Sequence, residues 1–180
     1  MKMKIHNVAL AALCVAAVCL SPSASQAAEE DLRKEAEQAR ANFLKADAGL
    51  QKFFDESAGY AMFPSVGKGG LIVGAARGKG VVYEKVKVVG EAVMTQASIG
   101  AQAGGQTFAE VIFFETPEAL KDFKGGKFEM SAEVSAVAAA EGASKAAKYK
   151  NGVAVFTLPH KGLMVQASIG GQKFKFVPAE

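Results

Sequence analysis

Cysteine is nearly missing from this 180-residue chain, and the two present, Cys14 and Cys19, both fall within the first 20 residues. Once such a leader is removed, no disulfide, thiolate zinc site, iron–sulfur cluster or cysteine nucleophile can form. Histidine is equally scarce. His6 belongs to the leader and His160 stands alone beyond it, which excludes a histidine-rich metal site within one chain. Charge of one sign is lacking too, with 21 Lys and Arg against 18 Asp and Glu. Without residues 1–27 the balance is 19 against 18, so a strongly electrostatic nucleic-acid binder is not expected. Proline is sparse at 5 residues, while half the chain is hydrophobic, which fits one globular domain and argues against disorder.

The usual signatures of catalysis are also missing. Gly74-Ala75-Ala76-Arg77-Gly78-Lys79-Gly80 has one residue too few between Gly74 and Gly78 for a phosphate loop, and Gly80 stands where Ser or Thr must hold magnesium. Gly78, Gly80, Gly100, Gly104 and Gly105 never complete a dinucleotide fingerprint, and no Gly-x-Ser-x-Gly elbow occurs. The carboxylate pairs Asp55/Glu56 and Glu115/Glu118 sit at expected helix ends, where solvation explains them. The expectation is a protein without enzymatic activity, cofactor or metal.

What is present begins with the leader. Lys2 and Lys4 precede an unbroken apolar run of 13 residues, Val8 to Leu20, and then the uncharged stretch Ser21 to Ala27. Ser25 and Ala27 suit the small positions before a cut at Ala28, so residues 1–27 read as a signal peptide. A membrane helix needs about 20 apolar residues, which makes a permanent span the weaker reading. Residues large enough to disfavour lipidation, Leu13 and Val18, precede the two cysteines. Export, to a periplasm, is expected.

Residues 28–58 form the next unit, with a helix expected over 29–56. Leu32, Ala36, Ala39, Phe43, Ala46, Leu50 and Phe53 make one apolar stripe at alternating spacings of four and three. Glu29, Glu30 and Asp31 suit a first turn. The stripe can cover a sheet; it can also pair with another helix. From Gly59 onward come 18 of the 19 glycines, and the chain reads as glycine-punctuated strands. Strands are expected over 71–77, 80–86, 88–99, 107–115, 153–157, 162–169 and 173–177, with a short helix over 117–123 behind Pro117. Residues 128–138 alternate apolar and polar with period two and read as a further strand. Gln96-Ala97-Ser98-Ile99-Gly100 recurs as Gln166-Ala167-Ser168-Ile169-Gly170, as two similar strands of a partly closed sheet would. The fold class is therefore α+β, an N-terminal amphipathic helix packed on a largely antiparallel sheet, with barrel-like closure as one outcome.

Basic residues recur beside glycine: Lys68 before Gly69-Gly70, Arg77 and Lys79 around Gly78, Lys124 and Lys127 around Gly125-Gly126, and Lys161 before Gly162. Read as turns, these could converge backbone amides and cationic side chains on a phosphate, and gathered at one end of a sheet they would make a basic rim. They could equally be lysines that keep sheet edges soluble. Residues 28–56 carry 5 basic and 8 acidic side chains, whereas 57–180 carry 14 and 10, so an anionic contact belongs to the glycine-rich part.

Ala61-Met62-Phe63-Pro64, Gly67-Lys68-Gly69-Gly70, Gly78-Lys79-Gly80-Val81-Val82, Thr95 to Gly105, Val111 to Phe114 and Lys161-Gly162-Leu163 follow one another in a distinctive order. In this order, residues 59–180 resemble the SYLF-domain family, in its exported bacterial branch. The resemblance implies a mixed, strand-rich fold and non-enzymatic phospholipid binding; some relatives bind phosphoinositides, and yeast relatives are associated with actin. For an exported protein the implied partner is anionic phospholipid on a membrane surface, not nucleic acid, with Lys68, Arg77, Lys79, Lys124, Lys127 and Lys161 contacting headgroups. The alternative is a structural or interaction module of the envelope, forming a homo-oligomer or binding a partner protein through its helix stripe. A third reading is a small-molecule carrier with a barrel cavity.

Overall fold

The computed structural model describes residues 23–69, 73–99, 106–128, 130, 136–160 and 171–179. Helix α1 (Ser23–Ala46) leads into a single 3-10 turn (Ala48–Leu50) and the short α2 (Gln51–Glu56). The expected single helix is thus interrupted at Asp47, whose extended backbone (φ −151°, ψ 103°) stops α1. Its side chain accepts from Gly49 N and so caps the next turn. Helical structure also begins earlier than expected, so Glu29, Glu30 and Asp31 lie beyond the first turn described. The break changes what the stripe buries. Ala36, Ala39, Phe43 and Leu50 are buried as their spacing implies, but past Asp47 it is Phe54 that is buried while Phe53 is only half-buried.

Among the described residues seven strands form one sheet: β1 (Gly59–Gly69), β2 (Val73–Glu84), β3 (Lys87–Ile99), β4 (Gln106–Phe114), β5 (Val137–Ala138), β6 (Val153–Pro159) and β7 (Gln172–Pro178). The order is β5-β6-β4-β1-β2-β3-β7, antiparallel throughout except for the β5–β6 pair. Helix α3 (Pro117–Lys124) starts where Thr116 accepts from Ala119 N, and α4 (Ala143–Ala146) is a single turn. Among the described residues the sheet is not closed into a barrel: β5 and β7 are its two edges and do not pair.

The sheet nevertheless curls strongly. Three strands separate β4 from β7, yet Gln172 of β7 donates to Glu110 of β4, and the rings of Phe174 and Phe63 lie 5.9 Å apart. The concave interior holds one apolar cluster, with Phe63, Met94, Ile112, Phe114, Phe123 and Phe174, and α3 closes over it. The opposite face holds a second cluster, with Met62, Val81, Val111, Phe113 and Phe156, under α1 and α2. Burial on both faces is what makes these strands read as near-continuous apolar runs.

Two features of the central strands depart from the sequence reading. Residues 71–77 and 80–86 were expected as separate strands, but β2 runs unbroken through Gly78 and Gly80. Those glycines serve close approach and not a turn: a Cβ on Gly80 would sit 2.6 Å from both the Met62 carbonyl oxygen and Phe63 Cδ1. Pro64 lies in a central strand, where its missing N–H would break a ladder; β1 instead shifts register there against both neighbours. Of the strand expected over 128–138, only Val137–Ala138 is a strand among the described residues. Phe128, Met130 and Ala136 are not, and 129 and 131–135 lie outside them. The strand expected over 162–169, with most of the second glutamine-led repeat, also lies outside them.

Candidate functional site

Strand register decides which of the six basic positions can cooperate. Lys68 pairs with Ala76 and with Gln106, and Arg77 pairs with Gly67 and Thr95. Pro159 pairs with Phe108, and His160 N donates to Thr107 O at 3.0 Å. The strand ends at Gly69, Val73, Ile99, Gln106, Pro159 and Gln172 therefore all lie at one end of the sheet. Lys68 and Arg77 belong to that end, as does His160, whose Nε2 donates to the Pro64 carbonyl oxygen at 2.8 Å. Lys161 follows directly but lies outside the described residues, as does the Lys68 side chain.

Lys79, Lys124 and Lys127 are placed elsewhere. Arg77, though toward the glycine-rich end, lies with Lys79 inside β2 and not in a turn, both exposed and on the side of the sheet that carries α1. Lys79 lines a cleft of about 450 Å³ that also contains Glu29, Asp31, Glu35 and Glu91. Four carboxylates around one ammonium oppose an anionic ligand at that point. Lys124 ends α3 on the concave side, at the opposite end of the sheet, where its Nζ donates to Glu84 Oε2 at 3.0 Å. Lys127 is exposed just beyond Gly126, whose φ of +68° makes the turn expected there. One rim containing all six residues is not assembled.

Sequence reasoning missed the most unusual polar group in the fold. Glu110 lies on the concave face in line with Phe108, Ile112 and Phe114, opposite Phe63 and Thr157. It is fully buried. Burial pushes its carboxyl up to about 7, against the opposing effect of the hydrogen bond that Gln172 Nε2 donates to Oε2 at 3.1 Å. Glu110 Oε1 and Gln172 Oε1 are both buried and have no hydrogen-bond partner among the described residues. The signal was legible in retrospect: an acid occupying an apolar phase of a period-two strand.

A second cleft, of about 670 Å³, opens between α2 and α4. Asp47 pins its far side by accepting from Ser144 N at 2.7 Å as well as from Gly49 N. Burial alone would raise the Asp47 carboxyl, but hydrogen bonds from Ser144, Gly49 and Gly142 outweigh it and hold the group below its ordinary value.

Residues 95–177 match the family model Ysc84, described as a Las17-binding protein actin regulator. Over these residues the chain matches the Ysc84 (SYLF) domain family. The match runs from Thr95 in β3 to Val177 in β7, so the SYLF model takes in Glu110, Gln172, Lys124, Lys127 and Lys161 and leaves out Lys68, Arg77 and Lys79. SYLF domains form a lipid-binding and actin-regulating family of binding modules. The chain is also 31% identical over 156 residues to Beta cell expansion factor A of Aeromonas veronii. The similarity covers 86% of this chain but 59% of that protein, so the chain spans little more than half of its curated relative.

Proposed function

We propose that this SYLF-domain chain is an exported, non-enzymatic protein that binds anionic phospholipid and docks peripherally on a membrane in the periplasm. The observation that supports this most is the strand register, which brings Lys68, Arg77 and His160 to the glycine-rich end of the sheet; Lys161 follows His160 in the sequence. Headgroup phosphates meet the cationic side chains of that end. Lys79, among carboxylates, and Lys124, paired with Glu84, contribute less. The leader, with Lys2, Lys4 and the Val8–Leu20 run, supports export.

The helix-pairing alternative loses its surface. Phe43 and Leu50 are wholly buried against this chain's own sheet, and Phe53 packs on Phe113, Tyr149 and Phe156. Co-sedimentation with neutral and anionic vesicles at low and high salt tests the proposal. Each basic residue near an anionic surface is worth about 1 kcal/mol, so removing the charges of Lys68, Arg77 and Lys161 weakens binding by roughly 3 kcal/mol, over a hundredfold. Removing those of Lys124 and Lys127 should cost less. Binding that ignores salt and lipid charge, or that depends on Lys124 and Lys127 alone, would reject docking by this end.

A further inference from the structure

The cleft between α2 and α4 has an apolar floor and a cationic rim. Phe53 and Tyr149, with ring centroids 5.5 Å apart, line it together with Ala147 and Gly49. Lys52, Lys145 and Glu56 supply the rim, two cations against one carboxylate. Lys52 has a carboxylate nearby, Glu56 at 3.9 Å, one helical turn away. Among the described residues no carboxylate lies within ion-pair distance of Lys145. The Tyr149 hydroxyl is buried and has no hydrogen-bond partner among the described residues, a costly state for a donor unless something else accepts from it. The Asp47 bonds to Ser144 and Gly49 hold the two walls in place, so the space is built and does not depend on a rotating side chain.

From this arrangement we infer that the cleft binds a single-chain anionic amphiphile. The anionic group accepts from Lys145 and from the Tyr149 hydroxyl, and the alkyl chain lies over Phe53 and Ala147. The volume falls within the range of small-ligand sites. Tyr149 stays protonated as a donor, since burial and the nearby Glu115 and Glu56 push its phenol up to about 12. The headgroup chemistry is shared by a free fatty carboxylate and a lysophospholipid. The site lies on the helix side of the sheet and stands independently of membrane docking by the glycine-rich end.

The test uses the intact protein, a dansyl-labelled undecanoate as reporter, and three unlabelled competitors below their micellar concentrations: laurate, lysophosphatidylglycerol and an uncharged monoacylglycerol. Saturable displacement of the dansyl probe by either anionic probe, and weakly by the uncharged one, is expected; which anion displaces better distinguishes carboxylate from phosphate. Lys145→Glu should weaken both anions about tenfold or more. Tyr149→Phe, which keeps the ring, should weaken them about threefold to tenfold. Ala147→Trp should block all three, with circular dichroism confirming that each variant is folded. Vesicle binding should survive Lys145→Glu. No saturable binding, or binding unchanged by Lys145→Glu and Ala147→Trp, would overturn the inference and leave the membrane reading untouched.

Discussion

Glu110→Gln is the most informative single change. In the folded chain the Glu110 carboxyl is pushed from 4.5 up to about 7 by complete burial. The folded state therefore holds this proton more tightly than the unfolded chain. Above pH 4.5 the unfolded chain releases the proton while the folded chain retains it, so stability falls as pH rises from about 4.5 to about 7 and levels off beyond. The shift corresponds to a loss of about 3 kcal/mol across that window. Glutamine has the same shape, cannot ionise, and supplies a donor that the unpartnered Gln172 Oε1 can accept. The variant should match the parent near pH 4.5 and exceed it by about 3 kcal/mol at pH 8. Urea unfolding at half-unit pH steps, with m held to one value, measures the difference directly. Parallel pH profiles for the two proteins would show that Glu110 does not titrate in this window and would refute the account of its environment.

Other consequences can be checked in the same way. Asp47→Ala should cost roughly 2 kcal/mol in urea unfolding, because it removes a cap and a charge-assisted bond to Ser144 N. Since the folded Asp47 carboxyl lies below 3.8, the parent should lose this contribution only as pH falls below that value, and the variant should show no such loss. Gly80→Ala should destabilise by roughly 1–3 kcal/mol, as its Cβ would meet Met62 O and Phe63 at 2.6 Å; an unchanged midpoint would mean the strands can part there. Tyr83 and Tyr149 are pushed up to about 12 by burial, and Tyr60 is raised by the same cause. Absorbance at the phenolate band should therefore show no ionisation step near pH 10 in the folded protein, and a full step once it is unfolded.

Legibility followed the range of the interactions involved. Strand β3, strand β4 and helix α3 could be placed closely because their apolar alternation and the Pro117 start are local properties. The break at Asp47 was hidden because the stripe spacing continues through it, whereas the cap depends on bonds to Gly49 and the distant Ser144. Gly78 and Gly80 looked like a turn, since glycine permits one. Only the packing of Val66 and Ser65 against Gly78, and of Met62 and Phe63 against Gly80, shows that they permit close approach within a long strand. Lys79 looked like its neighbours in composition and differs from them because α1 lays Glu29, Asp31 and Glu35 beside it.

By itself, then, the sequence carried the expectation of a leader and determined the α+β class, the helix stripe and the SYLF resemblance. Each depends on residue type and near-neighbour spacing, which survive without coordinates. Tertiary structure alone decided which basic residues share an end of the sheet, that Glu110 meets Gln172 across three intervening strands, and that a lysine-rimmed cleft opens between α2 and α4. Those depend on sheet order and curl. These are set by the collective burial of two apolar faces, and no local pattern encodes where a curling sheet brings its distant strands together.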